Sequence, residues 1–96
     1  MNLSEIQEKV NPILRSYRVR KASVFGSVAR GEDAVDSDVD MLVEFGEPIG
    51  MVGYVRFIRQ LEESLQKKVD VVTEKSVNKF IRPYIMPDLK VIYEVR

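Results

Sequence analysis

The sequence predicts a small α/β (α+β) domain in which helices pack mainly on one face of a small mixed β-sheet. The main observation is that helical and strand-like spacings of apolar residues alternate along the chain in the order α-β-α-β-α-β. The second is size: 96 residues can form one domain with its own core, spanning residues 1–96. The 45% apolar composition is typical of a globular protein.

Three longer helices are expected. In the first, apolar residues recur at steps of three and four from Leu3 to Tyr17. Ser4 and Gln7 predict a capping box at its start, and Pro12 predicts a kink or a restart from Asn11. The second helix is predicted at residues 51–67.

The third helix is expected to start at Ser76 as its cap and to run through Tyr84, until Pro83 or Pro87 stops it. A shorter helical piece is predicted to follow the turn that begins at Gly26.

Strands are predicted where apolar residues alternate with polar ones or where β-branched residues cluster. They are Arg18–Phe25, Val39–Phe45, Val69–Thr73 and Lys90–Val95.

Composition excludes several kinds of chemistry. The chain has no Cys and no His, so it has no disulfide, thiol nucleophile, zinc cluster or imidazole base. A metal would have to be held by oxygen ligands, as Mg²⁺, Mn²⁺ or Ca²⁺ is. The formal net charge of zero argues against general nucleic-acid binding. A polar start and the lack of a long apolar run predict a soluble, cytoplasmic protein without a membrane span.

Charge is distributed unevenly. Residues 15–30 include five basic and no acidic side chains, whereas residues 32–47 include seven acidic and no basic ones. Surfaces normally mix both signs, so one explanation is a site that holds both an anion and a cation.

Residues 26–31, with the sequence GSVARG, directly follow a predicted strand. Glycine lets the backbone approach a ligand, Ser27 offers a hydroxyl donor and Arg30 a positive charge, a combination suited to a phosphate. A P-loop is excluded because Glu32 and Asp33 stand where Lys and Ser/Thr are required. An ordinary glycine turn is the alternative.

Ser37, Asp38 and Asp40 stand at the start of a predicted strand. Side chains at i and i+2 share one face of a strand, about 6.5–7 Å apart, so both carboxylates can converge on one or two hard cations. A solvated strand end is the alternative. A calcium loop beginning at Asp36 is rejected, because Met41 stands where that loop needs glycine.

Asp70 lies in a short strand between two valines. If this strand pairs beside the one with Asp38 and Asp40, its side chain joins them in a three-carboxylate cluster; the alternative is an edge-strand aspartate facing water. A phosphate cradle with such a cluster is suited to metal-assisted phosphoryl or nucleotidyl transfer.

This combination resembles the signature of the DNA polymerase β-type nucleotidyltransferase superfamily, and the small size is similar to its minimal nucleotidyltransferase (MNT) branch. The resemblance extends over nearly the whole chain and implies the polymerase β-like nucleotidyltransferase fold. It implies that Gly26 and Ser27 hold the β- and γ-phosphates of a nucleoside triphosphate. Asp38 and Asp40 would coordinate two Mg²⁺ (or Mn²⁺) ions, and Asp70 would bind the metal nearest the acceptor and help to deprotonate the attacking hydroxyl.

Two further residues have less defined roles in this resemblance. Arg30 would be a phosphate ligand or a structural ion-pair partner. Ser37 would orient the turn.

MNT proteins are commonly paired with a HEPN-domain RNase toxin, so the resemblance implies an antitoxin that transfers AMP from ATP to a tyrosine of that toxin. Two alternatives stay open: a binding module that neutralises its partner without catalysis, and a transferase acting on a small molecule such as an aminoglycoside. A partner surface could lie on the second helix or near the third; the alternative for both is core packing. The residues in question are Tyr54, Phe57, Ile58, Phe80, Tyr84 and Ile85.

Overall fold

The computed structural model describes residues 1–32 and 37–95. Asp33 and Asp36, which entered the arguments against a P-loop and a calcium loop, lie outside the described residues. In chain order the elements are α1 (Leu3–Ser16), β1 (Val19–Phe25), α2 (Gly26–Ala29), β2 (Val39–Phe45), α3 (Met51–Leu65), β3 (Val69–Thr73), α4 (Arg82–Ile85) and β4 (Lys90–Glu94).

The four strands form one mixed sheet in the order β3-β2-β1-β4. β1 runs antiparallel to both of its neighbours, whereas β2 and β3 are parallel. The α3 helix connects the two parallel strands, as a parallel pair requires a long crossover. The predicted class, a small mixed sheet with helices, is confirmed.

The core lies between one face of the sheet and the helices α1 and α3. Alternation in β2 explains this arrangement: Val39, Met41 and Val43 are fully buried, whereas Asp40 and Leu42 point to the opposite face and are half-buried. From the helices, Ile6, Val10, Leu14, Phe57, Leu61 and Leu65 complete the core. Burial of these apolar side chains is the main source of stability.

The N-cap of α1 lies two residues earlier than predicted. Asn2 is the N-cap, and its side-chain oxygen accepts a hydrogen bond of 2.8 Å from the backbone N–H of Glu5. The predicted Ser4–Gln7 capping box is therefore wrong. Gln7 instead donates its side-chain amide to the carbonyl of Ile92, 2.7 Å away, and so ties α1 to β4.

The predicted restart at Asn11 is also wrong, because α1 is a single helix that contains Pro12. Pro12 removes one N–H donor, which leaves the carbonyl four residues earlier, at Glu8, without that bond. Both residues lie on the exposed side of the helix, where water can bond to this carbonyl.

We expect Asn2→Ala to lower the free energy of unfolding by about 1 kcal/mol, the usual cost of losing a side-chain N-cap. Chemical denaturation followed by circular dichroism measures this loss. Ser4→Ala is the matched control and should change stability little; an equal loss in both variants would contradict the assignment of the cap to Asn2.

The connection between β3 and β4 differs most from its prediction. Instead of one helix from Ser76, it contains 3₁₀ turns at Glu74–Ser76 and Met86–Asp88 that flank the four-residue α4. Pro83 lies in the first turn of α4, where its missing N–H costs nothing, so it does not end the helix. The Asn78 side chain accepts hydrogen bonds from the N–H groups of Phe80 and Ile81, which favours a turn over a continuous helix.

The ends of the remaining elements agree with the predictions within two residues. The second long helix stops at Leu65 because Gln66 adopts the left-handed conformation, with φ of 53°. Within residues 1–32 and 37–95, no helix combines the length and apolar character needed to cross a membrane.

Candidate active site

The parallel pairing of β2 and β3 brings two predicted carboxylates side by side. Asp40 and Asp70 are direct partners in the register, so both side chains point to the sheet face opposite the helices. Asp70 lies on the edge strand and is exposed, whereas Asp40 is half-buried. Asp70 therefore lies at a water-facing edge and, at the same time, next to Asp40 of β2.

Asp40 is the centre of the carboxylate group. Its pKa is raised, first because partial burial disfavours the charged form, then because the negative charges of Asp70 and Asp38 oppose it. A hydrogen bond with Asp70 also raises the pKa of Asp40, and the positive charge of Arg30 partly offsets these effects. In the metal-free site the ionised form of Asp40 is therefore disfavoured.

Gly26 lies directly against this carboxylate. A Cβ atom built at Gly26 would overlap Oδ2 of Asp40, and the φ of +77° is unfavourable for any residue with a side chain. Only glycine therefore allows the turn after β1 to approach Asp40 this closely. The turn after β1 and the carboxylate of β2 therefore lie side by side.

The turn itself is the four-residue helix α2, which starts at Gly26. Phe25 precedes it as N-cap without a side-chain hydrogen bond, and the Ser27 side chain is half-buried next to it. Backbone bonds from Arg30 to Gly26 and from Glu32 to Ser27 close the loop, at 3.2 and 2.8 Å. The loop is thus held by its own backbone hydrogen bonds.

Arg30 binds carboxylates of the protein itself. Its guanidinium donates to Glu32 at 3.0 Å and to Asp88 at 2.7 Å, so it links the loop after α2 to the connection before β4. Of the two predicted roles, the structure displays the ion pair. Asp88 was not anticipated, because nothing in the sequence marks it as a partner of a residue 58 positions away.

Ser37 lies directly before the Asp38–Asp40 pair and is half-buried. Its carbonyl accepts a 3.3 Å hydrogen bond from Nζ of Lys67, which attaches the start of β2 to the end of the crossover.

Much of the uneven charge has a structural explanation. Because β1 and β2 are antiparallel neighbours, basic and acidic stretches meet across the pair: Arg20 contacts Glu44 at 2.6 Å, and Arg18 contacts Glu47 at 2.9 Å. The basic side chains of β1 are thus largely neutralised by the protein. In contrast, within the described residues Asp38, Asp40 and Asp70 form no ion pair with a basic side chain.

The donor set fits a hard divalent cation. Its donors are carboxylate oxygens, the type of ligand that Mg²⁺ prefers, their negative charge is only partly offset by Arg30, and the Gly26 turn adjoins Asp40. Among residues 1–32 and 37–95, no three acidic side chains already converge on one point at ligand distances.

The two candidate partner surfaces differ in exposure: residues of the α3 surface pack into the core, whereas part of the surface near α4 is exposed. Phe57 is fully buried, and the Tyr54 hydroxyl donates to the carbonyl of Val71 at 3.1 Å, so these residues belong to the core side of α3. Near α4, Ile85 is buried, whereas Phe80 and Tyr84 are 73% and 81% exposed.

The sequence matches the family model described as polymerase beta, nucleotidyltransferase, over residues 8–96. The chain belongs to this nucleotidyltransferase family. The mixed sheet, with its glycine turn next to two carboxylates paired in register, agrees with this family.

Known proteins similar to this nucleotidyltransferase include a candidate protein adenylyltransferase of Methanocaldococcus jannaschii. The two are 45% identical over 86 residues, which cover 90% of this chain and 92% of that protein.

Two solved structures share the fold of this nucleotidyltransferase. A chain in the crystal structure of a toxin–antitoxin complex with AMP-PNP has a TM-score of 0.79 and 20% identity, over 94% of this chain and 74% of that one. A chain in the complex of tri-AMPylated Shewanella oneidensis HEPN toxin with its MNT antitoxin has a TM-score of 0.73 and 17% identity, over 97% and 73%.

Proposed function

We propose that this nucleotidyltransferase is an antitoxin that transfers AMP from ATP to a tyrosine hydroxyl of a HEPN-domain toxin, with Mg²⁺ as cofactor. The observation that carries the proposal is the contact of Gly26 with Asp40, which is itself paired in register with Asp70. It joins a phosphate turn to a carboxylate pair at one end of the sheet. The relatives described above support the choice of AMP and of a protein acceptor.

In this reaction the backbone at Gly26 and Ser27 holds the β- and γ-phosphates. Asp38, Asp40 and Asp70 hold the Mg²⁺ ions, which supply positive charge to the phosphates and to the attacking oxygen. The acceptor oxygen attacks the α-phosphorus, forms a P–O bond, and displaces pyrophosphate. Asp70, which is exposed at the sheet edge, takes the proton of the incoming hydroxyl in this proposal.

The direct test is the intact mass of a co-purified HEPN partner after incubation with this protein, ATP and Mg²⁺. We expect a gain of one or more AMP units. Asp38→Asn/Asp40→Asn should abolish the gain, and so should removal of Mg²⁺ with a chelator. Glu8→Gln/Glu63→Gln removes two exposed carboxylates elsewhere on the surface and should leave the gain intact.

Each alternative function has its own outcome in this experiment. An unmodified toxin that is still bound and inactive would overturn the transferase proposal in favour of neutralisation by binding. Metal-dependent turnover on an amino sugar without any protein acceptor would replace it with a small-molecule transferase.

A further inference from the structure

The four tyrosines of the chain differ in exposure. The ring of Tyr17 packs against Phe57 with 5.2 Å between the ring centres, and the Tyr54 hydroxyl donates to the backbone of β3. Tyr93 is half-buried against the core. Tyr84 of α4 is 81% exposed, and within residues 1–32 and 37–95 its hydroxyl has no hydrogen-bond partner. Tyr84 is therefore the tyrosine best able to enter the site of another molecule.

Tyr84 points away from the site of its own molecule. The β3–β4 connection, which contains α4, lies over the sheet face that carries Asp40. Arg82 and Met86 of this connection line a cavity against Leu42 of that face. Residues 82 and 86 are four apart and share one side of the helical turn, whereas the residue midway between them is rotated by about 200°. The Tyr84 hydroxyl can therefore meet the site of a second molecule but not its own.

The surroundings of Tyr84 are basic. Residues 75–87 include three basic and no acidic side chains. These are Lys75, Lys79 and Arg82, and all three are exposed. In the described part of the chain none of them forms an ion pair. The segment thus presents Tyr84 together with uncompensated positive charge.

The candidate active site carries the opposite charge. Asp70 is exposed at the sheet edge, where a protein hydroxyl can reach it from solvent, and Asp38 and Asp40 adjoin it. Because ATP offsets the charge of the Mg²⁺ ions, the loaded site stays negative. Patches of opposite sign on two molecules favour their encounter. The basic segment of one copy is therefore complementary to the acidic site of another.

We propose that Tyr84 is a self-AMPylation site, modified by a second copy of this chain. The Tyr84 oxygen attacks the α-phosphorus of ATP held by the other copy and forms a P–O bond. The bond from the α-phosphorus to the bridging oxygen breaks, pyrophosphate leaves, and the hydroxyl proton passes to Asp70 of the other copy. This inference rests on the proposed function, because it takes AMP transfer to a tyrosine hydroxyl as the reaction. The added phosphate is negative and weakens the attraction, so one AMP per chain is expected.

The test uses an inactive acceptor of distinct mass. Uniformly ¹⁵N-labelled Asp38→Asn/Asp40→Asn chain is mixed with unlabelled wild type, ATP and Mg²⁺ without toxin, and intact mass spectrometry reads the two chains separately. We expect the labelled chain to gain one AMP unit, at a rate that rises with the wild-type concentration. Tyr84→Phe in the labelled chain should abolish the gain. Tyr93→Phe is the matched control and should retain it.

The role of charge is tested in the same mixture. Lys79→Glu/Arg82→Glu in the labelled chain should lower the rate of its modification about tenfold at low salt. The difference should shrink at high salt, because ions screen the attraction. An unchanged rate at low salt would overturn the part of the inference that rests on charge.

The outcomes separate this inference from the proposed function. If the toxin gains AMP and the labelled chain does not, the inference is overturned and the proposed function stands. A gain that survives Tyr84→Phe, or that is confined to the unlabelled chain, also overturns it. A gain on the labelled chain without any gain on the toxin upholds the inference and refutes the toxin as acceptor.

Discussion

We expect Asp40→Asn to lower the kcat of AMP transfer about a thousandfold and, at the same time, to make the metal-free protein more resistant to heat. Under the proposed function the variant loses a carboxylate that holds the metal, and with it several kcal/mol of transition-state stabilisation. The same change removes a partly buried charge that Asp38 and Asp70 repel. Thermal unfolding in the presence of a chelator and the toxin-mass assay measure the two effects.

The gain in stability depends on pH in a defined direction. Because the folded state raises the pKa of Asp40, its contribution to stability is fully present below the unfolded pKa and is lost as pH rises through the folded pKa. The stability of the metal-free wild type should therefore approach that of Asp40→Asn as the medium is acidified. The difference in Tm between them should be largest near neutral pH.

Glu8→Gln, at an exposed position on α1, is the control for loss of one negative charge. It should leave both activity and Tm nearly unchanged. A metal-free Asp40→Asn protein with a lower Tm than wild type at pH 7 would show that repulsion at this site is not a destabilising factor.

Gly26→Ala should lower AMP transfer at least a hundredfold, because its new methyl group occupies the position of the Asp40 carboxylate oxygen. Either Asp40 rotates away from the site or the turn moves, and both displace the phosphates from the metal ligands. A shift of about 1 Å at a reacting group can cost a hundredfold in rate. The positive φ adds about 1–2 kcal/mol of backbone strain.

Gly31→Ala separates the two effects. Gly31 also has a positive φ, of +73°, but a Cβ atom there meets nothing within 4 Å. We expect a similar loss of stability in chemical denaturation and a rate close to wild type. Equal losses of activity in both variants would attribute the effect to backbone strain and would contradict the contact with Asp40 as its cause.

The sheet and the carboxylate group were predictable because both depend on period-two alternation. The pattern of β2 fixes Val39, Met41 and Val43 on one face, so Asp40 must point to the other. Asp70 joins it because the short β-branched strand pairs in parallel with β2. The acidic pair and the glycine turn were recognisable since each requires particular residue types.

The β3–β4 connection was less predictable because short-range bonds decide its path. The Asn78 side chain accepts a hydrogen bond from a nearby backbone N–H, and Pro83 lacks an N–H of its own. Several combinations of turns and short helices are compatible with these local requirements. Likewise, the ion pair between Arg30 and Asp88 depends on the path of this connection across the sheet.

The position of Asp70 at the sheet edge has a further consequence for association between molecules. β3 has the sequence VDVVT, and Asp70 is its only charged residue. An edge of β-branched residues with open backbone groups is a template for pairing with another chain, and a charge within the strand opposes such pairing. The carboxylate that the proposed reaction needs thus also protects the molecule against aggregation.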